Sequence, residues 1–210
     1  MNGRLPLLAG PVFTVIFFVV TLLMSEEGPG QDASGKAVVD YVEGHEGQLF
    51  FTAFAAPALG ALIVLFFSQL RTLARERSIA AGAGPSVMIA GAVLWAGGML
   101  VSSMLELAVL GAADDNLEQA AQTLNVILEA SWLPFIGGIA ITLIGAGMTV
   151  LRTALLPRWL GWVALVCGII ALAGPGGFLG FFVGPLFMLI AGMMLLVRSD
   201  EPVGSVTEPV

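Results

Sequence analysis

His45 is the only histidine in this chain. It lies in the stretch VVDYVEGHEGQLFF, four residues after the only tyrosine, Tyr41, with Asp40, Glu43 and Glu46 around it. An imidazole among carboxylates is the raw material of a metal site, a proton relay or a general base. A metal would need further ligands, and only carboxylates are at hand. GHEG is not the HExxH zinc pattern, because no second histidine exists. Two more carboxylates stand in apolar surroundings, Glu106 in SSMLELAVL and Glu129 in VILEASW. If these groups share one depth, His45, Glu46, Glu106 and Glu129 would line a pocket walled by Ser102, Ser103 and Trp132. Such a pocket would suit a cation or a hydroxylated ligand. The plainer alternative is a wet rim, with the carboxylates reaching water from helix ends and His45 packing at an interface. No nucleophile–base–orienter set is visible, so no catalytic residue is assigned.

Composition excludes several other chemistries. Of the 210 residues, 58% are hydrophobic and 11% charged, against about a quarter charged in soluble domains. Lipid is therefore the expected solvent. The single cysteine, Cys167, excludes an internal disulfide and multi-cysteine metal or iron–sulfur sites. One histidine excludes bis-histidine haem ligation within a single chain. The only lysine, Lys36, lies outside every apolar run, which excludes a retinal Schiff base inside a bundle. No metal, cofactor or nucleic acid is expected.

The elements that must position these residues are helices. Six apolar runs, at about 5–24, 49–69, 84–104, 132–151, 156–173 and 178–197, approach the ~20 residues that cross a bilayer. The first follows Arg4 but is longer than a secretory signal core, and LLMSEEGPG offers no small-x-small cleavage site, so it reads as a retained span. Arg4, Arg71, Arg75, Arg77, Arg152, Arg158 and Arg198 fall at the ends that a six-span chain places on one side. The connections on the other side hold Lys36 against Glu26, Glu27, Asp32, Asp40, Glu43, Glu46, Asp114, Asp115 and Glu118. Arginine-rich segments stay cytoplasmic, so both termini are expected inside. Arg71, Arg75, Arg77, Arg152 and Arg158 would then meet lipid headgroups.

Both acidic connections carry helical periodicity. Val38, Tyr41, Val42, His45 and Leu49 form one stripe, with Asp32 or Ser34 as the start cap. Leu117, Ala120, Ala121, Leu124 and Leu128 form another, with Asp115 and Glu118 in a capping-box pattern. Two amphipathic helices, at about 34–48 and 115–129, are therefore expected on the outer surface. The expected fold is an all-α, polytopic, six-helix transmembrane domain over 1–198 with a short cytoplasmic tail, 199–210.

Within the spans, no Asp, Glu, Lys, Arg or His falls at a central position. Ion-coupled transporters usually need such groups there, which argues against that class. The hydroxyls of Thr14, Thr21, Thr52, Ser102, Ser103, Thr142 and Thr149 are expected to bond helix backbone. Gly176, Gly180, Gly184 and Gly192 share a register that would let another helix approach closely. Spans two and four both run into LRT and carry Pro57 and Pro134, a hint of duplication that chance explains nearly as well.

VVDYVEGHEGQL before a span, and LRTALLPRWLGWVALV opening the penultimate one, resemble a set of uncharacterised actinobacterial six-span integral membrane proteins, a bacterial domain-of-unknown-function family. The resemblance implies a multi-pass protein of the bacterial inner membrane and brings no activity, cofactor or catalytic residue with it. The expected function is non-enzymatic: partner binding or an accessory role, with membrane lipids and another membrane protein as partners. The alternatives are a permease or binding protein for a small neutral or lipidic ligand at an outward-facing acidic site, and a membrane enzyme using His45 with an outer carboxylate.

Overall fold

The computed structural model describes residues 5–23, 28–77, 82–173 and 176–198. Among these the regular elements are all helices: α1 (Leu5–Leu23), α2 (Gly35–Arg77), α3 (Gly84–Asp114), α4 (Glu118–Ala130), α5 (Trp132–Thr153), α6 (Arg158–Ala171) and α7 (Gly177–Arg198). Four stretches, Gly35–Arg77, Gly84–Asp114, Glu118–Thr153 and Gly177–Val197, are long and apolar enough to cross a membrane. Two apolar helices are shorter, at Pro6–Leu22 and Arg158–Ala171. With 14 residues, α6 is about 21 Å long. Pro157 stands at its N-cap and cannot continue a helix backwards. The expected tail, 199–210, lies outside the described residues.

Six helices form a closed ring in the order α1–α2–α3–α5–α6–α7, each packed on the next, with α3–α5 and α2–α3 the most extensive pairs. The α3–α5 seam is made by glycines two turns apart on each helix. A Cβ on Gly91 would strike the backbone of Thr142, and one on Gly138 the backbone of Trp95, within 2.5 Å at its Cα. Close backbone approach of this kind is how helices gain van der Waals contact where lipid offers no hydrophobic drive. Inside the ring, Trp95 is fully buried and meets Phe13 edge-on at 5.4 Å and Phe135 at 6.2 Å.

The glycines of the last span also pack inside the ring. A Cβ on Gly180 would come within 2.9 Å of Ala171 on α6, one on Gly184 within 3.0 Å of Ile139 on α5, and one on Gly192 within 2.7 Å of Pro11 on α1. A Cβ on Gly176 would strike the Ile170 carbonyl of α6.

Helix boundaries differ from the sequence expectation at one end of the bundle. The outer segment at 34–48 and the second span are one 43-residue helix, kinked at His45 (φ −128°, ψ 15°). The third span does not stop at 104 but runs on to Asp114. With 31 residues, α3 is about 46 Å long, against a hydrocarbon core of ~30 Å. Apolar Val109, Leu110, Ala112 and Ala113 carry it onward because they have a partner there. With Val38, Val39, Val42, Leu49 and Ala121 they form a second hydrophobic core, separate from that of the ring. The start of α2, the end of α3 and α4 thus make a small cap in which the two expected stripes bury one another.

The cap corrects two details. Asp115 does not open a capping box for α4, whose N-cap residue is Leu117 without a side-chain bond. Asp115 instead ends α3, and Asn116 turns the chain at φ +54°. The Asn116 N–H donates to the Ala113 carbonyl at 2.9 Å and the Leu117 N–H to that of Ala112 at 2.8 Å, a Schellman closure with asparagine in the left-handed position. The buried face of α4 is also rotated from the expected one. Leu117 and Ala120 are exposed, Ala121 and Asn125 are buried, and Leu124 and Leu128 of the expected stripe pack partly buried against this core. Polar contacts set that rotation: Gln122 donates to the Ala33 carbonyl at 3.0 Å and Asn125 to that of Pro29 at 3.2 Å. Of the two candidate caps for α2, Ser34 serves, accepting from the Ala37 N–H at 3.3 Å.

Candidate functional site

A cavity of about 730 Å³ lies where the cap meets the ring. Six helices and one turn build its wall. Phe17, Val20 and Thr21 come from α1, Thr52, Ala56 and Leu59 from α2, and Met99, Ser102, Ser103 and Glu106 from α3. Leu128 and Glu129 come from α4, Ser131 from the turn that follows, Trp132, Phe135 and Ile136 from α5, and Gly177, Phe178 and Phe181 from α7. The wall is mostly apolar, and its aromatic side is continuous: Phe181 lies 4.9 Å from Phe17 and 5.9 Å from Phe135, ring centre to ring centre.

The polar groups gather on the α2–α3 side. Glu106 is partly buried, and its Oε2 lies 3.3 Å from the Thr52 hydroxyl, which also reaches the Leu49 carbonyl of its own helix at 2.9 Å. The Ser102 hydroxyl lies 2.9 Å from that of Ser131, linking α3 to the α4–α5 turn. Ser103 donates to the Ala53 carbonyl of α2 at 2.6 Å. This last bond has a local cause. Pro57 stands four residues beyond Ala53 and has no N–H to offer its carbonyl. Of the other hydroxyls, Thr142 bonds Gly138 at 2.7 Å and Thr149 bonds Gly145 at 2.7 Å on their own helix, whereas Thr14 also reaches the Pro185 carbonyl of α7 at 2.7 Å.

The structure therefore brings Glu106, Glu129, Ser102, Ser103 and Trp132 to one cavity, with Glu129 itself an exposed side chain at the rim. It does not bring His45 or Glu46 there. His45 sits at the α2 kink, half-buried, with its ring stacked on Tyr41 at 4.3 Å and its Nδ1 2.8 Å from the Tyr41 carbonyl. Glu46 is exposed. The reason is position along the helix. Val38, Val42 and Leu49 of the same helix are buried in the cap, whereas Thr52, Ala56 and Leu59 face the cavity two turns further on.

Sequence reasoning missed the aromatic wall. Phe17, Phe135 and Phe181 lie in three separate apolar runs, and nothing in one run signals the others. It also missed Thr52, whose spacing within its own span looks like any lipid-helix hydroxyl. Among the described residues no three His, Cys, Asp or Glu side chains converge as a metal site requires.

Arg71, Arg75, Arg77, Arg152 and Arg158 lie at the opposite end of the ring from the cap. There Arg77 donates to the Ala154 carbonyl at 3.1 Å, and a Cβ on Gly82 would strike the Arg152 guanidinium. Arg71 is partly buried, while Arg75, Arg77, Arg152 and Arg158 are exposed. No family model, no curated protein and no solved structure matches the chain.

Proposed function

We propose that this chain is a six-span integral membrane protein that binds a small lipidic ligand in the cavity between cap and ring, either as a receptor or as the binding stage of a permease. The observation that carries the reading is the cavity itself. Volumes of ~300–1,000 Å³, apolar walls and a few convergent polar groups characterise small-molecule sites. The ring supplies the apolar walls, and Glu106 with Ser102 supplies the polar end.

In this reading α1 and α6 complete the six spans, and the basic end faces the cytoplasm under the positive-inside bias. The cap and cavity then face outward, at the level of the outer headgroups, where an amphiphile could move in from the leaflet. A bacterial inner membrane fits this arrangement, with Arg71, Arg75, Arg77, Arg152 and Arg158 against anionic headgroups. The accessory, partner-binding reading keeps the missing central charges but not the glycine stripe, because Gly180, Gly184 and Gly192 are used against α6, α5 and α1. The enzyme reading loses its acid–base pair, because His45 does not line the cavity that holds Glu106 and Glu129.

The test is photolabelling in lipid nanodiscs with an alkyl diazirine, followed by peptide mapping. Label should concentrate on residues 99–106 and 128–136, and Ala56→Phe, which adds bulk to the cavity wall, should remove it from both. Label spread evenly over outward residues such as Val93 and Leu94, unaffected by Ala56→Phe, would sink the reading.

A further inference from the structure

We infer that the ligand of this cavity is a cationic amphiphile, an amine or quaternary ammonium head carried on an apolar body. The inference rests on the cavity being a ligand site and adds the charge of what fills it.

Charge comes first. Among the described residues two carboxylates line the cavity, Glu106 and Glu129, and no lysine, arginine or histidine does. Glu106 is withdrawn from water on a mainly apolar wall, and the Thr52 hydroxyl at 3.3 Å is a long bond for a carboxyl group. A polar group so placed gains most from a partner that replaces lost hydration. An anionic head would meet like charge from both glutamates. A neutral head would supply one hydrogen bond and leave the charge uncompensated.

The aromatic side of the wall makes the same choice. Phe17, Phe135 and Phe181 form one contiguous aromatic surface facing the same space. Ring faces attract cations within ~6 Å and are the usual cage for quaternary ammonium groups. A bare metal ion is the wrong occupant: two carboxylates are too few ligands, and 730 Å³ is far too much room. The space suits a head together with part of a chain.

The experiment uses the full chain in phosphatidylcholine nanodiscs, with empty nanodiscs as the partition control. Three probes share one tail: decyltrimethylammonium, decanol and decyl sulfate. Saturable binding of the cation is expected, at least ~10-fold tighter than decanol, with no saturable binding of decyl sulfate. Glu106→Gln should weaken the cation by ~10-fold or more and leave decanol within about twofold. If decanol binds as tightly as the cation, the charge inference is overturned while the ligand-site reading stands. If no probe saturates, both fall. Should Glu106→Gln not fold, the ranking of the three probes on the unaltered chain still decides. Unchanged cation affinity in folded Glu106→Gln would also overturn the inference.

Discussion

The Ser103 hydroxyl of α3 donates to the Ala53 carbonyl of α2 across 2.6 Å. Ala53 is the residue whose helical partner would be the N–H of position 57, and position 57 is proline. In an apolar surrounding an orphaned carbonyl is expensive. A side chain from the neighbouring helix therefore does what the backbone cannot, and a sequence defect in one helix becomes a tie between two. The tie sits in the cavity wall, so the Ser103 proton is already committed and is not free for a ligand.

Ser103→Ala is accordingly expected to destabilise the protein by about 1–3 kcal/mol, the penalty of a buried carbonyl left unpaired. In a Pro57→Ala background the same change should be much milder, because alanine at that position restores the N–H. Thermal unfolding of the four proteins in one detergent gives the double-mutant cycle. Additive effects would show that the two residues do not share the carbonyl.

At the α3–α5 seam, a Cβ at Gly138 has only backbone, of Leu94 and Trp95, to push against. Backbone yields less than a flexible side chain, so Gly138→Ala should cost about 1–3 kcal/mol as overpacking. Gly137, one residue away, has open space beyond it, and Gly137→Ala should be neutral or stabilising. Equal loss of stability in the two variants would argue against the seam.

Ala154 ends α5 in the left-handed region at φ 49°. That conformation costs an L-residue roughly 1–2 kcal/mol and glycine little. Once the extra chain entropy of glycine is set against this, Ala154→Gly should stabilise by about 0.5–1 kcal/mol. The melting temperature should rise, and a fall would mean that the turn is not left-handed.

The hydroxyls of Ser102 and Ser131 are 2.9 Å apart. With Cys167 replaced by alanine, Ser102→Cys with Ser131→Cys should form a disulfide under mild oxidation, joining α3 to the α4–α5 turn. If α4 must shift to admit ligand, the oxidised protein should bind decyltrimethylammonium more slowly, and reduction should restore the rate. Non-reducing peptide mapping that finds no crosslink would contradict the geometry.

Orientation can be read by labelling single cysteines from outside intact cells, again without Cys167. Cysteines at the exposed positions 43 and 115 should label, and one at exposed position 76 should not. Ala74 and Leu155 would be poor reporters, since both are buried and would resist reagent on either side. External labelling at 76 but not at 43 would invert the proposed topology.

The sequence by itself determined that the chain is helical, that its helices are apolar enough for lipid, and that its arginines gather in a few segments while most acids, Glu76 aside, fall elsewhere along the helices. These are local properties: composition, period and the position of a charge along a run need no knowledge of neighbours. It also singled out Glu106 and Glu129, because a carboxylate amid leucines and valines is conspicuous in one dimension. What the tertiary structure decided was contact and rotation. Whether α3 stops at 104 or continues to 114 depended on α4 and the start of α2 offering it a second core. Whether His45 joined the acids depended on the level at which α2 passes from cap to cavity, which periodicity cannot assign. The aromatic wall of the cavity exists only because α1, α5 and α7 come together, and no spacing within a single run encodes a meeting of three.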